Sequence, residues 1–270
     1  MDLTGKTIII TGASSGIGEA CAYAFAKHKV NLVLAARNIH KLEEVKIACE
    51  RSGSKTICIK CDVSKEEDCK NLIDETIKNF EHIHVLINNA GISMRALFID
   101  TGFDVLKRIM DVNFWGAVYC SKFALSHLLK DNGSLISISS FAGYKGLPGR
   151  TGYCASKYAL NGFMESLRTE NIKTNLHVGV LSPGYTASNI RNTALNAKGQ
   201  PQSESPLDES KLMQPDKVAE SVLKMVQKRT ETEILTKLSK TSLWVNKFFP
   251  KFVDRIIYKT IAKEKDSPFK

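Results

Sequence analysis

Short apolar runs and longer amphipathic segments alternate along residues 1–236, and this alternation constrains the fold more than any other feature of the chain. The apolar runs are rich in β-branched residues, which is typical of strands covered on both faces. The segments between them repeat their apolar positions with a helical period. Parallel strands need such long crossovers, and the crossovers are right-handed. The pattern therefore predicts an α/β fold around one parallel sheet.

The predicted sheet is a Rossmann-type, doubly wound parallel sheet of about seven strands with helices on both faces. The predicted strands are 7–11, 31–36, 55–61, 84–88, 134–139, 176–182 and 231–236. The predicted helices are 16–27, 40–51, 65–80, 103–129, 153–170 and 216–228. The third helix is expected to take Ser64 as its N-cap, because Glu67 follows three residues later.

No change of composition marks a boundary within residues 1–236, which are predicted to form a single catalytic domain. Residues 196–216 are polar and rich in Ser and Pro. The prolines are Pro201, Pro206 and Pro215. Because a helical segment and a short strand follow, we interpret 187–215 as a mobile surface loop near the substrate and not as a linker. Residues 237–270 form a C-terminal extension.

The positive charge is concentrated in that extension. The chain has a net charge of +10, from 38 Lys or Arg and 28 Asp or Glu. Residues 237–270 hold nine of the basic and three of the acidic residues, a local +6, which leaves +4 on the rest. A nucleic-acid site would need a basic stripe on the main fold with interleaved aromatic residues. The distribution therefore argues against a nucleic-acid partner.

The cysteines and the overall composition indicate a protein of a reducing compartment. Hydrophobic residues make up 43% of the chain and charged residues 24%, and the seven cysteines are scattered, several of them in apolar segments. Cys58 and Cys61 form a C-x-x-C without a second pair at zinc spacing, so we interpret them as packed thiols and expect no metal. No signal peptide and no run of about 18 apolar residues is apparent, so the expected location is cytoplasmic.

A glycine-rich loop joins the first predicted strand to the first helix and reads Thr11-Gly12-Ala13-Ser14-Ser15-Gly16-Ile17-Gly18. Glycine lets the backbone turn sharply and approach a pyrophosphate, and the following helix directs free N–H groups at the phosphates. Taken alone, such a loop also fits a structural turn or a methyltransferase. Its position between strand and helix favours dinucleotide binding.

Arg37 follows the second predicted strand, where the adenosine ribose of a dinucleotide would lie. An NAD site usually has a carboxylate there for the ribose hydroxyls, whereas Arg suits the 2′-phosphate of NADP. Ala36 occupies the carboxylate-like position. The residue therefore favours NADP(H) over NAD, with an ordinary exposed Arg as the alternative interpretation.

Tyr153 and Lys157 stand four residues apart at the start of a predicted helix, so both project from one face. A tyrosine phenol, with a pKa of about 10, is a poor base at neutral pH, and a nearby ammonium group lowers that pKa. The spacing alone is common on ordinary helices. It gains weight from Ser139 and Ser140, which end the preceding strand at the same edge of the sheet.

Together these motifs resemble the short-chain dehydrogenase/reductase family in its short single-domain form. The resemblance covers about residues 4–236 and rests on several motifs that stand in the family's order. They are T-G-x-x-x-G-x-G at 11–18, Asp62-Val63, Asn88-Asn89-Ala90-Gly91, Asn113, Ser140, Tyr153-x-x-x-Lys157 and Pro183-Gly184.

The resemblance implies a role for each catalytic residue. Tyr153 would protonate the carbonyl oxygen in reduction, and Ser140, rather than Ser139, would orient that oxygen. Lys157 would bind the nicotinamide ribose and lower the pKa of Tyr153, and Asn113 would hold a water molecule of a proton relay. Considered without the family, Asn113 also fits simple helix packing.

The resemblance implies the cofactor contacts as well. They are Gly12, Ser14, Ser15, Gly16, Ile17, Gly18, Arg37, Asp62, Val63, Asn89, Ala90, Gly91, Tyr153, Lys157, Pro183, Gly184, Thr186 and Ser188. Ser188 stands where the family often has Thr, and Thr186 is an alternative contact. Ser15 occupies a position that is basic in many NADP-preferring members, so the coenzyme prediction depends on Arg37.

Large apolar residues recur at helical spacing in 237–270, with basic residues among them. Pro250 would divide this segment into two helices, because it fits the first turn of a helix but not its interior. Basic amphipathic helices with Trp and Phe are typical of a membrane-surface anchor. Because apolar stripes are usually buried, we favour packing on the enzyme body, over the substrate pocket or in a dimer contact, with peripheral membrane contact as the alternative.

The sequence thus predicts an NADP(H)-dependent oxidoreductase that interconverts a carbonyl and an alcohol on a small molecule, and the resemblance implies a homodimer or homotetramer. The alternative, a catalytically silent nucleotide-binding regulatory protein, is disfavoured by the complete set of catalytic residue types. An isomerase or dehydratase would need a longer substrate domain. The segments 93–97, 141–150 and 187–215 are expected to build the pocket, and their apolar residues favour an apolar substrate.

Overall fold

The computed structural model describes residues 2–202, 207–264 and 267–269. Within them, seven parallel strands form one sheet in the order β3-β2-β1-β4-β5-β6-β7. The strands are β1 (Thr7–Thr11), β2 (Asn31–Ala36), β3 (Lys55–Lys60), β4 (Val85–Asn88), β5 (Ser134–Ile138), β6 (His177–Ser182) and β7 (Thr232–Ile234). The strand order changes direction between β1 and β4, as it does in doubly wound folds. The predicted Rossmann-type sheet is confirmed.

Helices connect the strands and cover both faces of the sheet. They are α1 (Gly16–Ala26), α2 (Ile39–Arg51), α3 (Glu66–Phe80), α4 (Phe103–Met110), α5 (Gly116–Lys130), α6 (Thr151–Glu170), α7 (Pro215–Lys228), α8 (Lys237–Phe248) and α9 (Pro250–Ala262). Their ends differ from the predicted ones by one or two residues, because an apolar period marks the packed face of a helix and not its cap.

Alternating side chains of the strands supply two separate cores. Ile8 and Ile10 of β1 pack with residues of α1, α2 and α7, whereas Ile9 packs on the opposite face with residues of α3, α5 and α6. All three isoleucines are completely buried. Burial of such a side chain contributes about 1.5–3 kcal/mol. The two layers therefore fix the sheet and the positions of the loops at its carboxyl edge.

The start of the third helix was predicted wrongly. Its cap residue is Lys65, and the Ser64 hydroxyl donates instead to Asp62 Oδ1 at 2.8 Å. Asp62 is only two residues before Ser64, so its carboxylate lies close enough in the turn after β3 to accept from the Ser64 hydroxyl. The hydroxyl is thereby used within the turn instead of capping the helix. The helical region 103–129 also contains a π-helical turn at Asp111–Trp115, which an apolar period does not reveal.

The predicted substrate loop is only partly within the described residues, since 203–206 with Pro206 lies outside them. The rest of the loop is tied to the body. Isolated bridges join Thr186 to Met213 and Met94 to Leu195. The predicted mobility of the loop stays a prediction.

The C-terminal extension forms α8 and α9, and Pro250 is the first residue of α9, as its helix-start preference predicts. Residues 265, 266 and 270 of the extension lie outside the described residues. Over the part of the chain that the structure describes, no helix combines the length and the apolarity needed to cross a membrane.

Among the described residues, ion pairs of Glu264 and Asp254 connect the extension to the body. Arg95 Nη2 lies 3.1 Å from Glu264 Oε2, and both side chains are almost completely buried. Lys145 Nζ lies 2.7 Å from Asp254 Oδ1, where the carboxylate is largely exposed. Because buried pairs are screened less than exposed ones, the first pair constrains the end of the extension more strongly.

Candidate active site

A cavity of about 1450 Å³ runs along the carboxyl ends of the strands, where open parallel sheets bind ligands. Its walls come from the loop after β1, the segments after β2 to β6, the start of α6, and α8 and α9. The sequence-predicted residues on these walls are Gly12, Ser14, Ser15, Gly16, Ile17, Arg37, Asp62, Val63, Asn89, Ala90, Gly91, Ser140, Tyr153, Lys157, Pro183, Gly184, Thr186 and Ser188. Gly18 and Asn113 are the two predicted residues that are not among the lining residues.

The loop after β1 needs glycine for two reasons. Gly12 has a φ of +66°, and a Cβ at this position would lie 2.9 Å from the Cα of Ala90. A Cβ at Gly18 would collide with the carbonyl oxygen of Gly12. Gly18 therefore lets α1 pack against the loop, which explains why it lies behind the cavity wall.

Hydrogen bonds fasten this loop to the segment after β4. Thr11 Oγ1 accepts from the backbone N–H of Asn89 at 3.0 Å and of Ala90 at 3.1 Å. The Asn89 side-chain amide donates in return to the Thr11 carbonyl at 2.9 Å. Two loops from neighbouring strands thus form one rigid cavity floor.

The start of α1 is suited to an anion. Ser15 precedes the helix in an extended conformation, and among the described residues its side chain does not cap the helix. Ser15, Gly16 and Ile17 all line the cavity, so the uncapped N–H groups and the positive end of the helix dipole are at its edge. The glycine turn and this helix start together fit a pyrophosphate.

Basic side chains line the part of the cavity at the ends of β2 and β3. Arg37 is exposed and lines the cavity, together with His40 and with Lys60, the last residue of β3. The Asp62 carboxylate is occupied locally, since it accepts from the Ser64 backbone N–H at 3.1 Å and from its hydroxyl. The cationic character of this end therefore comes from Arg37 and Lys60.

Tyr153 lies in the first turn of α6 and lines the cavity. Burial raises the pKa of its phenol, whereas a hydrogen bond with the Ser140 hydroxyl and the positive charges of Arg150 and Arg191 lower it. Burial has the largest effect, so the pKa lies above its usual value. The phenol therefore keeps its proton at neutral pH and is able to donate it.

Of the two serines after β5, one uses its hydroxyl in a hydrogen bond to another side chain of the protein. Ser139 donates its hydroxyl to Asn161 Oδ1 at 2.6 Å. Ser140 Oγ accepts from the Ala142 backbone N–H at 3.2 Å and keeps its proton for another partner. Ser140 is therefore the hydroxyl that stands beside Tyr153.

Lys157 is buried beneath the tyrosine. Its Nζ donates to the carbonyl oxygen of Ile138 at 2.8 Å and lies 5.9 Å from the centroid of the Tyr153 ring. Burial lowers the pKa of Lys157 to about 8. The charges that lower the pKa of Tyr153 are those of two arginines, so the effect of Lys157 on that pKa stays a prediction.

Asn113 lies in the π-helical turn between α4 and α5 and is completely committed to the protein. Its Nδ2 donates to the Ile92 carbonyl at 2.9 Å and to Ser156 Oγ at 3.0 Å. Its Oδ1 accepts from the Ile92 backbone N–H at 2.8 Å. This geometry matches the helix-packing alternative, and the water-holding role implied by the resemblance stays a prediction.

Arg150 and Arg191 are two charged residues near Tyr153 that sequence reasoning did not single out. Both line the cavity and both are more than nine-tenths buried. Arg191 forms a two-pronged pair with Glu209, at 2.6 Å from each carboxylate oxygen. Arg150 was assigned only to the 141–150 wall. Its position three residues before Tyr153, at the start of the same helix, is the signal that would have singled it out.

The C-terminal helices form the apolar part of the wall. Val245, Val253 and Ile257 line the cavity. Trp244 and Phe248 are each 63% exposed and face away from the protein interior. One stripe of α8 and α9 thus covers the pocket, while a second apolar surface remains open.

A family model described as short chain dehydrogenase matches residues 6–199. Among curated proteins, an 11-beta-hydroxysteroid dehydrogenase of Pinus massoniana is 43% identical over 194 residues, which is 70% of this chain and 53% of that protein. An 11-beta-hydroxysteroid dehydrogenase A of Arachis hypogaea is 41% identical over 202 residues, 74% of this chain and 58% of that protein. The chain thus spans little more than half the length of these relatives.

Solved structures show the same fold. A short chain dehydrogenase/reductase from Burkholderia phymatum in complex with NAD superposes with a TM-score of 0.84 and 21% identity, covering 93% of this chain and 96% of that one. An alcohol dehydrogenase from Thermococcus sibiricus complexed with 5-hydroxy-NADP superposes with a TM-score of 0.76 and 26% identity, covering 85% and 95%. One neighbour therefore holds NAD and the other an NADP derivative.

Proposed function

The chain belongs to the short-chain dehydrogenase/reductase family, and from this premise we propose that it is an NADP(H)-dependent oxidoreductase that interconverts a carbonyl and an alcohol. The observation that carries the proposal is one continuous cavity. It has the glycine loop and the uncapped start of α1 at one part of its wall, and Tyr153, Ser140 and Lys157 at another. A dinucleotide-sized groove and an acid for a carbonyl oxygen are thereby joined in one site.

The residues divide the chemistry among them. When bound, the reduced nicotinamide supplies the hydride that the carbonyl carbon accepts. Tyr153 donates its proton to the carbonyl oxygen, because its raised pKa keeps the phenol protonated. Ser140 donates a hydrogen bond to the same oxygen and holds it beside the phenol. Lys157 holds the ribose hydroxyls of the cofactor from its buried position on α6, where its Nζ also donates to the Ile138 carbonyl at the end of β5.

NADP(H) is the proposed coenzyme because of the charges around the adenosine end. Arg37 is exposed on the cavity wall, and Lys60 lines the same region. A 2′-phosphate gains charge-assisted hydrogen bonds from a guanidinium group, whereas a ribose hydroxyl gains little. Comparison of the dissociation constants of NADPH and NADH tests this part, and equal affinities would refute it.

The substrate is proposed to be an apolar small molecule. Val245, Val253 and Ile257 line the cavity from the C-terminal helices, and Leu147 faces it from the loop before α6. The curated relatives are named for hydroxysteroids. A rigid apolar ring system with a hydroxyl or keto group fits a wall of this kind.

NADPH oxidation with a panel of ketones and aldehydes tests the function, with Tyr153→Phe as the matched control. The substitution removes only the proton donor, so we expect kcat to fall by about 10²–10⁴-fold while NADPH binding remains. Full turnover by Tyr153→Phe would refute the mechanism. NADPH binding without turnover of any carbonyl compound would favour the alternative, a catalytically silent nucleotide-binding regulatory protein.

A cytoplasmic location with peripheral membrane contact is also proposed. Trp244, Phe248 and Phe249 of the extension are exposed by more than 60% each, with Lys247 and Lys251 beside them. An aromatic surface flanked by basic residues matches helices that lie on anionic membranes. Co-flotation with anionic vesicles, which a neutral vesicle should not support, tests the contact.

For the assembly, we propose a homodimer or homotetramer through α5 and α6. Trp115, at the start of this region, is 43% exposed and stacks on Tyr119, and Tyr158 of α6 is 47% exposed. Exposed aromatic residues on adjacent long helices suit a two-fold contact between copies. Light scattering decides the oligomeric state, and a monomer at all concentrations would refute the proposal.

A further inference from the structure

Two arginines flank Tyr153 on the cavity wall, and the structure treats them differently. Arg191 is neutralised by Glu209 and also donates to the carbonyl oxygen of Thr186. Arg150 is equally buried, with 8% of its surface exposed. Over residues 2–202, 207–264 and 267–269, its guanidinium group has no hydrogen bond and no carboxylate partner. The guanidinium carbon lies 5.9 Å from the centroid of the Tyr185 ring.

A buried cation without a counter-charge is unfavourable, because burial removes the water that would solvate it. The site therefore has a net positive charge beside the reacting group that no described side chain balances. The Tyr185 ring, 5.9 Å from the guanidinium carbon, accepts no hydrogen bond from the group, so its N–H groups stay available to a ligand.

The backbone holds Arg150 in a fixed position. It precedes the first residue of α6, its N–H donates to the Leu147 carbonyl at 3.2 Å, and its carbonyl accepts from the Cys154 N–H at 2.8 Å. The charge also acts on Tyr153, whose pKa it lowers. A rigid cation at the start of the catalytic helix is thus close enough to bind a group on the same molecule that Tyr153 protonates.

We propose that Arg150 is the binding site for a carboxylate group of the substrate, so that the enzyme acts on an apolar carbonyl compound that also carries a carboxylate. The planar guanidinium edge matches the two oxygens of a carboxylate. The apolar wall from α8 and α9 then holds the remainder of the molecule. This inference rests on the proposed function, since it names the substrate class of the same site.

The test uses a series of oxo-alkanoic acids with increasing separation between the keto and carboxyl groups, each beside its neutral primary amide. We expect the wild-type protein to prefer the best acid over its amide by at least about tenfold in kcat/KM. Arg150→Met keeps the volume and removes the charge, so the preference should disappear. Lys145→Met removes a nearby cation that does not line the cavity and should leave the preference unchanged.

The outcomes separate the two proposals. Turnover of acids and amides at equal rates would overturn the carboxylate site and leave the oxidoreductase intact. If neither class is turned over, the oxidoreductase proposal fails. Calorimetric binding of the acid and of the amide to the NADPH-loaded protein then still decides the site, and equal affinities overturn it. An increase of KM for NADPH in Arg150→Met, identical with both substrates, would assign Arg150 to the cofactor and overturn the inference.

Discussion

The loop after β1 and the pair α8–α9 line the same cavity, but they are held in place in different ways. The loop has no room for an added Cβ at Gly12 or Gly18, and the hydroxyl and carbonyl oxygens of Thr11 bond it to the segment after β4. The helix pair is held by a few apolar side chains, by an exposed ion pair at Asp254 in its middle and by a buried one at Glu264 near its end. Its outer face remains exposed.

This difference separates a constant part of the site from an adaptable one. A cofactor that is the same in every turnover is matched by a rigid backbone cradle, in which each position is fixed by close packing. A wall of Val and Ile from a peripheral helix pair determines the shape and apolarity of the pocket, but it offers a ligand few directional hydrogen bonds. Substitutions in the two regions should therefore fail in different ways.

Gly18→Ala should have the largest effect. The new methyl group collides with the Gly12 backbone, which cannot move because β1 and the segment after β4 hold it. We expect a loss of about 1–3 kcal/mol in the free energy of unfolding, together with at least about tenfold weaker NADPH binding. Chemical denaturation and fluorescence titration measure the two quantities.

The matched control is Gly162→Ala in α6, where nothing lies within 4 Å of the added Cβ. Alanine is favoured over glycine inside a helix by about 1 kcal/mol, so this variant should be as stable as the wild type or more stable. Equal destabilisation by the two substitutions would show that the loop is not packed as tightly as the geometry indicates.

Much of the loop after β1 could be predicted from the sequence, but little of how the pair α8–α9 packs. The order of strands and helices, the glycine loop and the Tyr153–Lys157 pair depend on local spacing, so each can be identified from neighbouring residues. The contrast between Arg150 and Arg191 cannot be identified in this way. It depends on Glu209, which is 18 residues from Arg191 in the chain and reaches it only through the folded substrate loop.

The extension shows the same limit. Its periodicity predicted two amphipathic helices, which the structure has. The sequence did not tell which apolar residues cover the cavity and which stay outside, because Trp244 and Val245 are adjacent and differ in the surface that each meets. That surface is made by elements far away in the chain.

Val253→Asp should have the next largest effect and should spare the cofactor. Val253 is 5% exposed and lines the cavity, so a carboxylate there loses its solvation and disturbs the apolar wall. We expect KM for an apolar substrate to rise by about tenfold, with NADPH affinity unchanged, because the glycine loop is held by its own packing and hydrogen bonds. Steady-state kinetics and NADPH titration check the two parts.

Phe248→Asp is the control on the open face, since Phe248 is 63% exposed. In solution its kinetics should equal those of the wild type, while its binding to anionic vesicles should decrease. A rise in KM as large as that of Val253→Asp would mean that the outer face also contacts the substrate, and the distinction between the two faces would be lost.

A severalfold effect is expected from pH. Burial lowers the pKa of Lys157 from its usual 10.5 to about 8, so the side chain of the free protein loses its charge as pH rises through about 8. The anionic cofactor favours the charged form, and NADPH affinity should therefore decrease by about severalfold between pH 8 and 9. Lys157→Met should bind more weakly at neutral pH and lack this pH dependence. Equal pH dependence in both proteins would assign it to another group.

The smallest effect is expected where the extension is least constrained. Asp254 pairs with Lys145 at 2.7 Å, but its side chain is 61% exposed, and exposed pairs contribute about 0–1 kcal/mol. Asp254→Asn should therefore shift KM for the substrate by less than about twofold. Glu264→Gln removes the negative charge from the buried pair with Arg95 and should raise KM further, because a buried pair contributes more than an exposed one. A greater effect of Asp254→Asn than of Glu264→Gln would show that the exposed pair in the middle of the extension, and not the buried pair at its end, holds α9 in place. The position of α9 would then be fixed as strictly as that of the glycine loop.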